Sequence, residues 1–328
     1  MLLRYVLRRL LYMVPTLFLI SLVSFAIVQL PPGDFLTTYI STLEAQGGDV
    51  SAAEIELLRQ RYSMDGNLLE QYLGWIGNVL RGDFGWSFMY QRPVEDVLWG
   101  RVGLTFAISL ASMIFVYLVA FPIGIYSAVR KYSMGDYAFT FLGFLGLAVP
   151  NFLLALILMY VALTVFGQSV GGIFSPAYQD APWSWGKVVD LLAHLWIPVV
   201  IIGTASTAGL IRVMRANLLD ELSRPYVETA RAKGLPERRL LLKYPVRLAL
   251  NPFVSQLGWE LPALISGATI VSIVLNLPTT GPVLLTALKS QDMYLAGSFI
   301  LILSVLTVIG TLISDLLLAW LDPRIQYG

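Results

Sequence analysis

Six long stretches, almost free of formal charge, divide the chain: Leu10–Leu30, Val102–Val129, Tyr137–Phe166, Leu191–Ile211, Pro252–Asn276 and Met293–Ser314. A hydrocarbon core of roughly 30 Å is crossed by about 20 residues at about 1.5 Å each, so every stretch is long enough to span it. Strands of a membrane barrel would instead show segments of about ten residues with alternating polarity. Backbone groups in lipid must be paired within the segment, which predicts six transmembrane helices. Pro122, Pro150, Pro198 and Pro262 are expected to bend or break these spans, and Ser266-Gly-Ala268 offers a small-residue face for close packing.

The polar segments carry their own signals. In the long loop after the first span, Ser51-Ala-Ala-Glu54 has capping-box spacing, and a short helix is expected over Leu68–Leu80, stopping near Gly82. An aromatic-rich turn, Gly82 to Ser87, leads to Arg92-Pro93, a start signal for the helix that feeds the second span. Gln168–Lys187, with Gly171-Gly172, Pro176 and Pro182, reads as a second outer loop. Trp183, Trp185 and Trp196 fit an interfacial aromatic belt. The expected architecture is all-α and polytopic: residues 1–30 as N-terminal segment and first helix, 31–100 as an extracytoplasmic cap loop, and 101–328 as a core of five further helices with a cytoplasmic loop at 216–250.

Composition agrees with this class, since 57% of the 328 residues are hydrophobic and 13% charged. The net charge of +1 matters less than where the charges sit. Fifteen Lys and Arg residues fall on the side holding both termini and the 212–252 loop, and seven on the other. That asymmetry predicts cytoplasmic N- and C-termini in a bacterial inner membrane, with the 31–100 loop facing outward. Arg4, Arg8 and Arg9 precede the first apolar run, whose length favours an uncleaved helix over a secretory signal. Cysteine is absent, which removes disulfides and thiolate metal sites from consideration.

The densest charge lies between two spans, from Arg212 to Pro252. Good helix formers flank Pro225, so two short helices with a break there are expected. Ser223 can cap the second, Pro225 can occupy its first turn, and Gly234 can end it in a left-handed conformation. Ala230 and Ala232 keep that helix thin enough to enter a groove on a partner. Arg238, Arg239 and Lys243, taken alone, fit attraction to anionic headgroups. Lipid attraction does not require the spacing of Glu228, Ala230 and Gly234.

That spacing, Glu228-Thr229-Ala230, three residues, then Gly234, resembles the cytoplasmic coupling loop of bacterial ABC importer permeases. Arg212-Val-Met-Arg215 upstream and Lys243 to Pro252 downstream resemble the flanks seen in the oligopeptide/dipeptide/nickel branch. Leu30-Pro-Pro-Gly-Asp34, Leu80 to Gly85, Leu147 to Phe152 and Leu321-Asp-Pro-Arg324 extend the resemblance along nearly the whole chain. Two stretches depart from it: Tyr244-Pro-Val-Arg247 replaces the general Ile-x-Leu-Pro pattern, and Val271 to Gly281 lacks the Val-x-Glu-x-Val-Phe string of many relatives. Pro245 should break the helix locally.

The resemblance implies an importer-type permease fold and half of a translocation pore. Its implied partners are a second, homologous permease subunit, two ATP-binding subunits and an extracytoplasmic substrate-binding protein. Glu228 would be the charged anchor of the coupling helix, Ala230 its close-packing site and Gly234 the hinge at its end, with Thr229 and Ala232 part of the same coupling loop. Peptides are the expected cargo, with oligosaccharides or nickel as alternatives.

Other candidates are single residues. Glu260, inside the fifth span, invites a role in lining the pore or its gate, because an intramembrane charge is costly without a cavity or partner. Asp315, at the end of the sixth span, could pair with basic residues such as Arg212 and Arg215 and so steady the loop. His194, the lone histidine, reads as interfacial rather than as a metal ligand, and no metal site is expected. The chain has no Gly-x-x-x-x-Gly-Lys-Ser/Thr string, so no catalytic residue and no bound cofactor is expected, with ATP and Mg²⁺ held by the partner ATPases. A different class, an autonomous ion-coupled carrier or channel, would call for buried charges near midplane and an inverted repeat.

Overall fold

A computed structural model describes residues 2–29, 67–87, 89–168, 171–179, 181–253 and 268–321. The elements are α1 (Leu2–Gln29), α2 (Leu68–Leu80), β1 (Trp86–Ser87), β2 (Arg92–Pro93), α3 (Val94–Val129), α4 (Met134–Ala148), α5 (Asn151–Phe166), α6 (Trp185–Leu222), α7 (Pro225–Ala232), α8 (Glu237–Lys243), α9 (Pro245–Ala249), α10 (Thr280–Lys289) and α11 (Met293–Leu321). Residues 251–253 and 268–274 are also helical. Two compact units form, both discontinuous in sequence: Met1–Leu104 with Pro278–Val308, and Thr105–Leu277 with Ile309–Gly328.

Among the described residues, four helices are long and apolar enough to cross a membrane, within α1, α3, α6 and α11. A fifth candidate is the pair α4 and α5, bent by 106°. The third span, expected as Tyr137–Phe166, is therefore two helices. Val149 takes the extended backbone imposed on a residue before proline (φ −82, ψ 121), and Pro150 follows with ψ 138, so the helical ladder stops and restarts. Pro122 and Pro198 behave differently, sitting inside the unbroken helices α3 and α6. The fifth expected span, Pro252–Asn276, lies largely on residues outside those described, as do Glu260, Pro262 and Ser51–Glu54.

In the first unit, α2 forms where expected, but its start is fixed by a signal the sequence reading overlooked. Asn67 accepts the Glu70 amide at 2.9 Å while Glu70 accepts the Asn67 amide at 3.3 Å, a reciprocal capping box. Tyr72 and Trp75 carry α2 onto Phe25 of α1, and the Ser21 and Tyr72 hydroxyls lie 2.7 Å apart. The turn Gly82–Ser87 opens a two-stranded antiparallel hairpin, with Trp86 opposite Pro93 and Ser87 opposite Arg92. Gly85, at φ +85, has the Tyr294 ring where a Cβ would stand, 2.6 Å from Cδ1, so neither its backbone nor its surroundings admit a side chain. Phe84, Val94, Leu98, Val283, Leu295 and Phe299 form the core beneath.

Asp292 ties this hairpin to the start of α11. One carboxylate oxygen accepts the Ser87 hydroxyl at 2.7 Å and the Met89 amide at 3.1 Å, and the other accepts the Leu295 amide at 3.2 Å. Ser87 and Asp292 are fully buried. Asp292→Ala would leave the buried Ser87 hydroxyl and Leu295 amide without their acceptor and release the Met89 amide. We expect it to destabilise the protein by about 3 kcal/mol, read as a lower unfolding midpoint by tryptophan fluorescence in detergent, with Asp292→Asn intermediate.

Candidate functional site

The second unit positions the charged loop through α6. This helix begins at the Ser184 cap and runs 38 residues to Leu222, so it continues well past the expected span end at Ile211. Charges from Arg212 onward lower the hydropathy without lowering helix propensity, because Arg, Leu, Met, Ala and Glu are all good helix formers. Met214 and Leu218 keep the arm packed, with Val116, Ala120, Val246, Ala249 and Phe253, in the core of this unit. Gly124 of α3 lets Met214 approach so closely that an added Cβ would lie 2.6 Å from the Met214 Cβ.

Beyond α6 the chain turns at Ser223-Arg224 into α7. Pro225 occupies the first turn as expected, but the cap is Arg224, with no side-chain hydrogen bond, and the Ser223 hydroxyl instead donates to the Asp220 carbonyl at 2.8 Å. Pro225 forces extended backbone on its predecessor, which moves the cap position one residue along. The far end closes as expected. Gly234 is left-handed at φ +76, its amide donates to the Arg231 carbonyl at 2.9 Å, and the Leu235 amide donates to the Ala230 carbonyl at 3.3 Å. These two bonds are the Schellman pattern, which satisfies carbonyls a helix end otherwise leaves open.

The two faces of α7 differ. Val227 is fully buried and Tyr226 and Ala230 are half-buried, whereas Glu228, Thr229 and Ala232 are exposed together on the opposite side. The Tyr226 hydroxyl donates to Glu221 at 2.7 Å across the α6–α7 turn, and burial together with the Glu221 carboxylate holds it well above the usual tyrosine range. Arg231 forks onto Glu237 of α8, Nε to Oε2 at 3.2 Å and Nη2 to Oε1 at 2.7 Å. That bond keeps the Glu237 carboxyl below the ordinary carboxylate range and raises Arg231. Pro245 does break the chain: α8 ends at Tyr244 (φ −118, ψ −77), and α9 begins anew with proline at its first position.

The remaining candidates fall in different places. Arg215 pairs with Asp136 of α4, a partner the sequence reading did not name. The Arg212 guanidinium lies 5.5 Å from the Phe144 ring centroid. Asp315 is half-buried on α11. His194 is buried, with Nδ1 2.7 Å from the Asp190 carbonyl. Among the described residues no group of three His, Cys, Asp or Glu side chains could hold a metal ion. The string Gly167-Gln-Ser-Val-Gly171 has the spacing of a hydrolase nucleophile elbow. That elbow joins a strand to a helix, whereas here Gly167 is the left-handed cap ending α5, so the match is one of spacing alone.

Two family matches cover the chain. Residues 120–327 match the family described as "Binding-protein-dependent transport system inner membrane component", and residues 2–111 match the N-terminal region described for such membrane components. The chain is 35% identical over 325 residues to the oligopeptide transport system permease protein AppB of Bacillus subtilis, covering 98% of this chain and 99% of the relative. It is 31% identical over 325 residues to the glutathione transport system permease protein GsiC of Escherichia coli K12, covering 99% of each.

Apart from its chain neighbours, no atom of the described residues lies within 4 Å of where a Cβ would stand at Gly234, so substitution there is limited by backbone conformation. Gly234→Asn should keep the closing turn, since asparagine visits the left-handed region, while Gly234→Val should open it at a cost of about 1–2 kcal/mol. Hydrogen exchange at the Gly234 and Leu235 amides would show it, slow in the first variant and fast in the second.

Proposed function

The chain belongs to the family of binding-protein-dependent transport system inner membrane components, and from that premise we propose that it forms half of the translocation pore of an ATP-driven peptide importer. The observation that carries the proposal is α7, a short helix closed at its own C-terminus that presents Glu228, Thr229 and Ala232 together on an exposed face. In this reading that face seats in a groove of a separate ATPase subunit, where ATP and Mg²⁺ are held, and this chain binds neither. A second homologous permease completes the pore, and an extracytoplasmic binding protein delivers cargo. ATP-driven closure of the ATPases pushes α7, and α6 carries the displacement into the membrane. The wild-type chain has six spans with both termini and α7 in the cytoplasm, as the Lys and Arg distribution favours.

Peptide cargo is supported by two full-length relatives, one named for oligopeptides and the other for glutathione, itself a short peptide. Co-purification from native cells in mild detergent, followed by calorimetry on the recovered binding protein, tests this. Heat on adding di- to pentapeptides supports peptide import, whereas heat only with oligosaccharides or nickel overturns the cargo and leaves the permease reading intact. Recovery of the well-folded chain without any ATPase would favour an autonomous carrier.

Two variants test coupling. Gly234→Pro removes both the positive φ and the amide bonded to Arg231, and Glu228→Arg inverts the charge on the exposed face. Both are expected to insert normally and to leave ATP hydrolysis running while uptake in proteoliposomes falls at least tenfold, about 1.4 kcal/mol of lost coupling. Normal uptake in both would sink the assignment of α7.

Orientation has its own test, because the chain contains no cysteine of its own. A single cysteine at Thr229 should react with an impermeant maleimide only in inverted vesicles, and one at Trp183, 71% exposed in the second outer loop, only in intact cells or spheroplasts. The reverse pattern would reject the topology.

A further inference from the structure

Asp136 opens α4, and Arg215 lies on α6 seven residues before that helix ends. The guanidinium meets the carboxylate at two points, Nε to Oδ1 at 3.1 Å and Nη2 to Oδ2 at 3.0 Å. A two-point fork fixes angle as well as distance. Asp136 is 2% exposed and also accepts the Tyr132 amide at 2.9 Å, and its own amide is held by the Ser133 hydroxyl at 3.2 Å. Tyr132 is left-handed at φ 64, so the tight α3–α4 turn and the carboxylate hold each other in place.

The other described approaches of α4 to α6 have no such direction. Gly143 lies against Ala208, Gly146 against Thr204, and Arg212 covers the Phe144 ring. None of these contacts fixes an angle as the two-point fork on buried Asp136 does. From Arg215 to the start of α7 the path is one helical arm and a two-residue turn. At the far end of α4 comes the joint at Val149-Pro150, where the helix ladder is interrupted.

We propose, resting on the permease reading above, that Asp136 is a positioning residue for coupling: its fork with Arg215 makes α4 move as one body with the arm of α6, so that displacement received at α7 flexes the joint between α4 and α5. The fork supplies the directional link, and the broken ladder supplies the compliance. Removing one partner strands the other charge at a partly buried site, so the effect should exceed that of a surface pair.

Spin-label distances test this in the full-length chain, whose lack of cysteine leaves only the introduced sites to label. A pair at Phe141 and Ala216 reports the fork, and a pair at Phe141 and Leu163 reports the joint. All three positions are exposed. In the complex with its ATPase subunits, the wild-type fork pair should stay narrow and unchanged on adding Mg-ATP, while the joint pair shifts. In Asp136→Asn the fork pair should broaden and the ATP-driven shift of the joint pair should fall below half, with ATP hydrolysis retained.

A full shift of the joint pair in Asp136→Asn, or no shift in the wild type, would overturn the proposal. A merely structural role would lower hydrolysis and shift together, which overturns it too. Should Asp136→Asn fail to insert, Arg215→Lys keeps the charge but loses the fork and decides the matter by the same readouts. Failure of the wild-type chain to associate with any ATPase would instead count against the permease reading, with the fork pair on the isolated chain still reporting whether the link is rigid.

Discussion

The constraint on which the rest depends is that a backbone in lipid must satisfy its own hydrogen bonds. A helix that meets this demand across the bilayer need not stop where the bilayer stops, and α6 does not. Its 38 residues, about 57 Å at 1.5 Å each, carry a single ladder from the Ser184 cap to Leu222. A charged loop hung on so long a rod inherits its stiffness. Several elements of this unit are arranged around that arm: α9 and Phe253 pack on Met214 and Leu218, Tyr226 bonds back to Glu221, and Arg215 reaches across to α4.

Breaks in the ladder are as informative as its continuity. Among the described residues, prolines stand at the start of helices at Pro150, Pro225, Pro236 and Pro245, and at Pro150 the axis bends by 106°. Pro122 and Pro198 lie inside helices that continue without a break. Residue type alone does not distinguish the two groups. Extended backbone precedes Pro150 and Pro225, whereas Pro198 lies in continuous helix between Ile197 and Val199, all three buried.

Much of this was legible along the chain because the signals are local. Hydropathy marks the spans, Pro225 and Gly234 mark the ends of α7, and Leu68–Leu80 forms as its periodicity predicts. The Asn67–Glu70 box was equally local, an Asn three residues before a Glu, and was open to the same reading. The cap at Arg224 instead of Ser223 shows a local competition, decided by the residue preceding proline. The links that were not legible are distant ones: Ser87 with Asp292 lies 205 residues apart, and Asp136 with Arg215 lies 79 apart. No periodicity encodes such pairs, because the fold alone decides which charges meet.

The Schellman closure of α7 has a consequence for the tempo of assembly. A segment that folds only on its partner must be ordered at each encounter, and that ordering opposes association every time. Here the carbonyls at the end of the helix are already satisfied within the chain, and Arg231 with Glu237 braces the turn that follows. In the coupling role proposed above, docking would be a collision between preformed surfaces, governed by orientation and diffusion rather than by folding. In that role the helix would be released and seated again, cycle after cycle, without unravelling in between.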